Sequence, residues 1–202
     1  DQFLNYIPLQ EIQSSKGIIA NKMDNQKISS FKSGPFRVMY PIDKQKKVMA
    51  YVWDVRAVVI DTFTNPSLKV NADILNPKDI ESLFKHETKK IIPYPSGSFS
   101  YKKKDQSAKR VTYFNLYDLL KTRKLSGESV QFIPLIGKTI TLSSKLIENI
   151  PVKIICKIDE AWLHPAQGGP FSVVFPVSDY PELIPVIEDS ANLFFLRQIS
   201  VK

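Results

Sequence analysis

The sequence predicts a β-rich α+β fold: an antiparallel sheet or β-sandwich with two short helices, at about residues 76–87 and 115–125, and an N-terminal arm. Three observations point there. Runs rich in β-branched and aromatic residues recur along the chain, 14 prolines punctuate it, and helix start signals joined to an apolar stripe occur in only two places. The expected division is an arm over residues 1–33, partly extended, and a single globular β-rich domain over 34–202.

Residues 1–33 are mostly polar, with Ser14-Ser15-Lys16-Gly17 and Ser29-Ser30 as breaks. Order begins at Gly34-Pro35, after which Phe36 to Tyr40 alternates as a strand does. Val48 to Phe63 is the strongest strand signal, dense in Val, Ile, Tyr, Trp and Phe, which suit a pleated, half-buried surface. Asn65-Pro66 turns the chain into a further alternating strand, Leu68 to Ile74.

The first helix is signalled by Asn76 as N-cap and Pro77 at the first helical position. Asp79 and Glu81 follow in the first turn, and Ile80, Leu83 and Phe84 form a stripe. The second starts at Asn115, turns Leu116, Leu119 and Leu120 inward, and carries Lys121, Arg123 and Lys124 at its C-terminal end. Beyond it, strands are expected at 130–136, 138–142, 151–158, 171–177 and 192–201, with Pro176, Pro181 and Pro185 opposing a long helix before the last.

Composition narrows the function. A hydrophobic content of 43% is too high for a disordered chain, and 202 residues bury enough surface to fold without a disulfide or metal. The single cysteine, Cys156, lies in the apolar run Val152 to Ile158 and reads as a core thiol, which suits a reducing intracellular compartment, cytoplasm or nucleus. No apolar run reaches the ~18–20 residues of a transmembrane helix, and residues 1–5 lack the pattern of a signal peptide.

Catalytic signals are sparse. His86 and His164 with one cysteine match no zinc spacing. Gly137-Lys138-Thr139 resembles the end of a nucleotide-binding loop, but position 132 is Phe where that loop needs glycine. Asp54 and Arg56 share a strand face as a structural pair, and Asp159-Glu160 would point apart on a strand. The expectation is therefore no catalytic residues, no metal, no cofactor and no small-molecule substrate.

Charge is the strongest functional signal. The net charge is +8, and it is segregated. Residues 78–124 hold 12 Lys/Arg against 5 Asp/Glu and residues 16–56 hold 9 against 3, whereas residues 125–202 hold 6 against 8. Such asymmetry suits a polyanion, either nucleic acid or an anionic membrane surface, and head-to-tail self-association. The candidate polyanion-binding residues are Lys89, Lys90, Lys102, Lys103, Lys104, Lys109, Arg110, Lys121, Arg123 and Lys124. Tyr94, Phe99 and Tyr101, interleaved with them, are candidates for stacking on unpaired bases.

The run Tyr6-Ile7-Pro8-Leu9-Gln10-Glu11-Ile12 resembles the stretch that opens the folded part of some rhabdovirus matrix proteins. The likeness covers under a dozen residues, comes without a proline-rich budding motif and transfers no residue role. What it implies is a viral structural protein, and a basic movement protein fits the same composition. The leading expectation is thus a non-enzymatic structural or assembly protein whose basic face binds nucleic acid, a nucleoprotein or an anionic membrane. The alternatives are a sequence-tolerant single-strand binder, an enzyme whose His86 or His164 meets a carboxylate in a pocket, and an adaptor docking through Phe194-Phe195-Leu196 or the arm.

Overall fold

The structure, a computed structural model, describes residues 18–20, 22–23, 26–27, 36–43, 48–52, 66–90, 108–135, 137–164, 168–187 and 191–202. The chain divides into two compact units, one of residues 5–62 and one of residues 63–202 with residues 1–4.

In the first unit, β1 (Ile18–Ala20), β4 (Arg37–Asp43) and β5 (Val48–Val52) form an antiparallel sheet in the order β1-β4-β5, and β2 (Lys22–Met23) pairs with β3 (Gln26–Lys27). Ile18 lies opposite Met39 and Val38 opposite Val52. Residues of the expected arm therefore share a sheet with residues beyond Gly34, and the division between the units does not fall at 33/34. Pro41, which has no N–H to give a ladder, sits at the register shift of β4. The long strand expected from Val48 is described over Val48–Val52; the rest of it lies outside the described residues.

The second unit holds two sheets. β6 (Leu68–Val70), β7 (Asp73–Leu75), β10 (Ser129–Pro134), β11 (Ile140–Ser143) and β16 (Leu196–Val201) run in the order β11-β10-β16-β6-β7. β8 (Lys85–Lys90), β9 (Ala108–Asn115), β12 (Lys153–Ile158), β14 (Ser172–Val174) and β15 (Asn192–Leu193) form the other sheet, in the order β15-β14-β12-β9-β8, with β13 (Ala161–Trp162) also on β12. The helices are α1 (Pro77–Ile80), α2 (Leu116–Thr122), α3 (Ser144–Asn149) and α4 (Ile184–Ile187).

This is the β-rich α+β architecture the sequence predicts, with three corrections. β16 pairs with β6 in parallel, so the first sheet is mixed. Asn71 secures that junction. Its backbone takes the left-handed conformation (φ 52), its N–H donates to the Ile199 carbonyl at 2.9 Å, and its Oδ1 accepts from the Val201 N–H at 2.8 Å. The second correction concerns the helix expected over 76–87, which stops at Ile80 and passes through a 3₁₀ turn (Glu81–Leu83) into β8. Its stripe ends with Phe84, and the polar Lys85–Lys90 then has nothing to bury and becomes a charged edge strand. Finally, the described residues include α3 and α4 beyond the two helices expected.

Both sheets and all four helices contribute to one core. Leu68, Phe132 and Ile199 come from the first sheet, Phe114, Ile154 and Cys156 from the second, and Ile80, Leu119, Ile147 and Ile187 from the helices. Phe132 meets Phe175 edge to face at 5.5 Å between ring centres, and Phe114 meets Phe171 at 6.4 Å. Phe195 and Leu196 are buried, so Phe194-Phe195-Leu196 is not an exposed docking element.

Cys156 is a core thiol on β12, its Sγ donating weakly to the Thr112 carbonyl at 3.5 Å. Burial pushes its pKa up to about 12, outweighing the attraction of Lys157. The folded state thus holds the neutral thiol, and the contribution to stability is complete below the ordinary value of 9.0 and lost as pH rises from there towards about 12. A thiol reagent at pH 8 is expected to leave the native protein unlabelled and to label it in denaturant. Labelling of the native protein would place Cys156 at an accessible site.

Candidate polyanion-binding face

The described residues on either side of 91–107 form an edge hairpin. β8 and β9 pair antiparallel with Lys85 opposite Tyr113, Glu87 opposite Val111, Lys89 opposite Lys109 and Lys90 opposite Ala108. β12 covers the other side of β9, with Ile155 opposite Tyr113 and Ile158 opposite Val111 across a bulge at Cys156. Because side chains alternate, Lys85, Glu87 and Lys89 share a face with Lys109, Val111 and Tyr113, while Phe114 points into the main core. That outer face has its own small apolar cluster of Val111, Ile155 and Leu163, flanked by Tyr113, Ile158 and Val174.

Around this cluster the cations are paired. Lys153 Nζ donates to Glu87 at 2.5 Å and lies 4.6 Å from the centre of the Tyr113 ring, and Lys89 reaches Glu87 at 2.9 Å. Lys85 meets Asp118 of α2 at 2.6 Å. Lys109 meets Asp159 at 3.5 Å, and Arg110, whose side chain leaves β9 on the opposite face, meets Glu160 at 2.9 Å. Lys157, on the opposite face, rests against the rings of Trp162 and Phe84 at 4.9 and 5.2 Å.

Glu87 holds the centre of this network. Burial acts to raise its pKa, but hydrogen bonds and charge from Lys153 and Lys89 outweigh it and hold the carboxyl below its ordinary value of 4.5. The stability this provides is present above that value and is lost as pH falls through the lower folded pKa. Glu87→Gln is expected to lower unfolding free energy by about 1 kcal/mol at pH 7 in urea titrations, an effect that shrinks as pH falls below 4.5. An effect independent of pH would mean that packing, not charge, is what Glu87 contributes.

The structure brings only some of the predicted binding residues together. Lys89 and Lys109 are direct neighbours and Arg110 follows, at the end of the hairpin where residues 91–107 begin and end. The backbone of Lys90 lies there too, opposite Ala108. Lys102, Lys103, Lys104, Tyr94, Phe99 and Tyr101 lie outside the described residues. Lys121, Arg123 and Lys124 sit at the end of α2, apart from the hairpin in the chain. Arg123 donates to the Asp79 carbonyl at 3.0 Å, and Lys121 lines an open groove of about 230 Å³ with Tyr117, Leu120, Glu148 and Val201.

His86 Nδ1 lies 3.0 Å from Thr112 Oγ1, His164 is exposed, and neither lines the groove beside α2. Among the described residues no three His, Cys, Asp or Glu side chains are grouped to hold a metal ion, and no helix is long and apolar enough to cross a membrane. The sequence reading missed the acid partners of Lys109 and Arg110, because Asp159 and Glu160 stand about fifty residues further on. What the fold and this face define is a β-rich α+β protein with an ion-paired basic edge hairpin. No protein-family model matches the chain, and no curated protein matches it.

Proposed function

We propose that this is a non-enzymatic structural protein that binds a polyanion, single-stranded nucleic acid in the first place, through the basic run bracketed by β8 and β9. The observation that supports this most directly is the register of the hairpin. It sets Lys89 opposite Lys109, with Arg110 next in sequence, at the point where the run carrying Lys102-Lys103-Lys104 departs and returns. Like charges directly opposite on paired strands oppose the pairing; Glu87 and Asp159 offset part of that repulsion, and a bound anion offsets more of it. Phosphates supply such anions, and the interleaved Tyr94, Phe99 and Tyr101 supply ring faces for unpaired bases.

Lys109 and Arg110 already face carboxylates, so Lys102, Lys103 and Lys104 carry most of the contact in this reading. A reducing compartment, cytoplasm or nucleus, suits the single cysteine. The segregated charge supports self-association as well, and with it the role of a viral matrix-type or movement-type protein, which works by many weak contacts.

The experiment is binding of purified protein to labelled single-stranded RNA and to anionic vesicles across a salt series, with light scattering alongside. RNA binding that weakens with salt by about 0.7 decades per decade of salt for each phosphate contact supports the proposal. Binding to vesicles alone replaces nucleic acid by a membrane surface. A monomer that binds neither leaves an adaptor role.

A further inference from the structure

We propose that the Asp159–Glu160 turn is a built-in competitor of the polyanion, placing carboxylates on Lys109 and Arg110 where phosphate oxygens bind. This rests on the nucleic-acid reading above and adds its regulation.

Four contacts define the arrangement. Asp159 Oδ1 accepts from the Arg110 backbone N–H at 3.0 Å, and the Asp159 N–H donates to the Arg110 carbonyl at 2.8 Å. The other oxygen, Oδ2, lies 3.5 Å from Lys109 Nζ, and Glu160 Oε1 lies 2.9 Å from an Arg110 guanidinium nitrogen. Guanidinium and ammonium groups bind carboxylate and phosphate oxygens with the same donors, so the two ligands compete for them.

The turn itself is an unusual choice of residues for its shape. It joins β12 to β13 by two residues, Ile158 being opposite Ala161, and both residues have positive φ, 48 for Asp159 and 66 for Glu160. Two-residue turns of that conformation favour Asn-Gly, and Asp tolerates the left-handed region better than Glu does. Turn chemistry therefore does not account for Glu160, whereas its contact with Arg110 does. Charge context agrees. From Ile158 to Leu196 the chain carries six Asp/Glu and no Lys/Arg, in a protein of net charge +8. Two of those six acids are the ones set against the basic hairpin.

Both side chains of the Arg110–Glu160 pair are more than half exposed, at 54% and 59%. Exposed pairs are weak, so the turn lowers affinity without blocking the site. The ligand class is the phosphodiester of single-stranded RNA, and the probe is a labelled oligoribonucleotide followed by fluorescence anisotropy at low salt. Glu160→Gln and Glu160→Gly both remove the carboxylate, and glycine also suits the backbone at φ 66, so a change shared by both does not come from a disturbed turn. Asp159 is left intact because it also holds the Arg110 backbone.

Both variants are expected to bind RNA about two- to fivefold more tightly than the parent, with a salt dependence steeper by about one phosphate contact. In an Arg110→Ala background the gain disappears. Unchanged or weaker binding by both variants, while the parent binds RNA, overturns the competitor and leaves the proposed function standing. A gain of equal size in the Arg110→Ala background also overturns it, by assigning the effect to overall charge. If neither the parent nor the variants bind RNA, the proposed function falls and the competitor with it.

Discussion

Replacing Lys102, Lys103 and Lys104 together by alanine is expected to weaken binding of single-stranded RNA about a hundredfold at 0.1 M salt. Each phosphate contact on a single strand contributes about 0.7 to the slope of log affinity against log salt, so three contacts account for about two decades between 0.1 and 1 M salt, and the slope itself falls by about two. The comparison that gives this meaning is a paired change of Lys121 and Lys124 to alanine. Those residues each carry the same charge as the replaced lysines, at the C-terminal end of α2, and both are exposed. If the hairpin run is the binding element, the triple variant loses far more per lysine than the α2 pair does. Equal losses per lysine would show a diffuse electrostatic attraction with no defined face, and a triple variant that binds within threefold of the parent would remove the run from the site altogether.

Phe132→Ala is expected to lower the unfolding free energy by about 3–5 kcal/mol, measured by urea titration. Phe132 is fully buried on β10, a strand held on both sides, with Ile140 of β11 opposite it on one and Ile199 of β16 on the other. Its ring meets Phe175 edge to face, at an interplanar angle of 87°. Removing it loses the transfer free energy of the ring and leaves a cavity that β10, fixed by two ladders, has little freedom to close. Against a typical total of about 5–15 kcal/mol, that loss leaves a marginal protein. Phe132→Leu keeps much of the volume and should lose less. A loss under about 1 kcal/mol for the alanine variant would mean that Phe132 is not a central core residue.

Local signals carried some elements fully. Asn115 followed by Leu116, Leu119 and Leu120 predicts α2, and all three leucines are buried on it. The strands β10, β12 and β16 lie where alternating or apolar runs place them. A capped proline start also marks α1 correctly at its beginning, but not at its end. That signal speaks for one turn only, and Lys85–Lys90 then follows the sheet because β9 is there to pair with it. An edge strand with polar residues at every position shows no period, so β8 could not be read from the chain. α3 did carry a cue, since Ser143 Oγ accepts from the Leu146 N–H at 3.3 Å, but six residues are too few to show a helical stripe. The parallel pairing of β16 with β6 links residues some 130 positions apart and leaves no local trace.

By itself, then, the sequence determined the β-rich class, the inward residues of α2 and the strands, the buried thiol and the segregation of charge. Each of these follows from side-chain chemistry and local period. Tertiary structure alone decided which charges remain available. Lys89 is joined to Glu87, Lys85 to Asp118, and Lys109 and Arg110 to the Asp159–Glu160 turn, through pairings that β8, β9, β12 and β13 impose. A count of lysines measures total charge, whereas binding depends on charge left uncompensated within a few ångströms, and that distance is set by strand register between segments far apart in the chain.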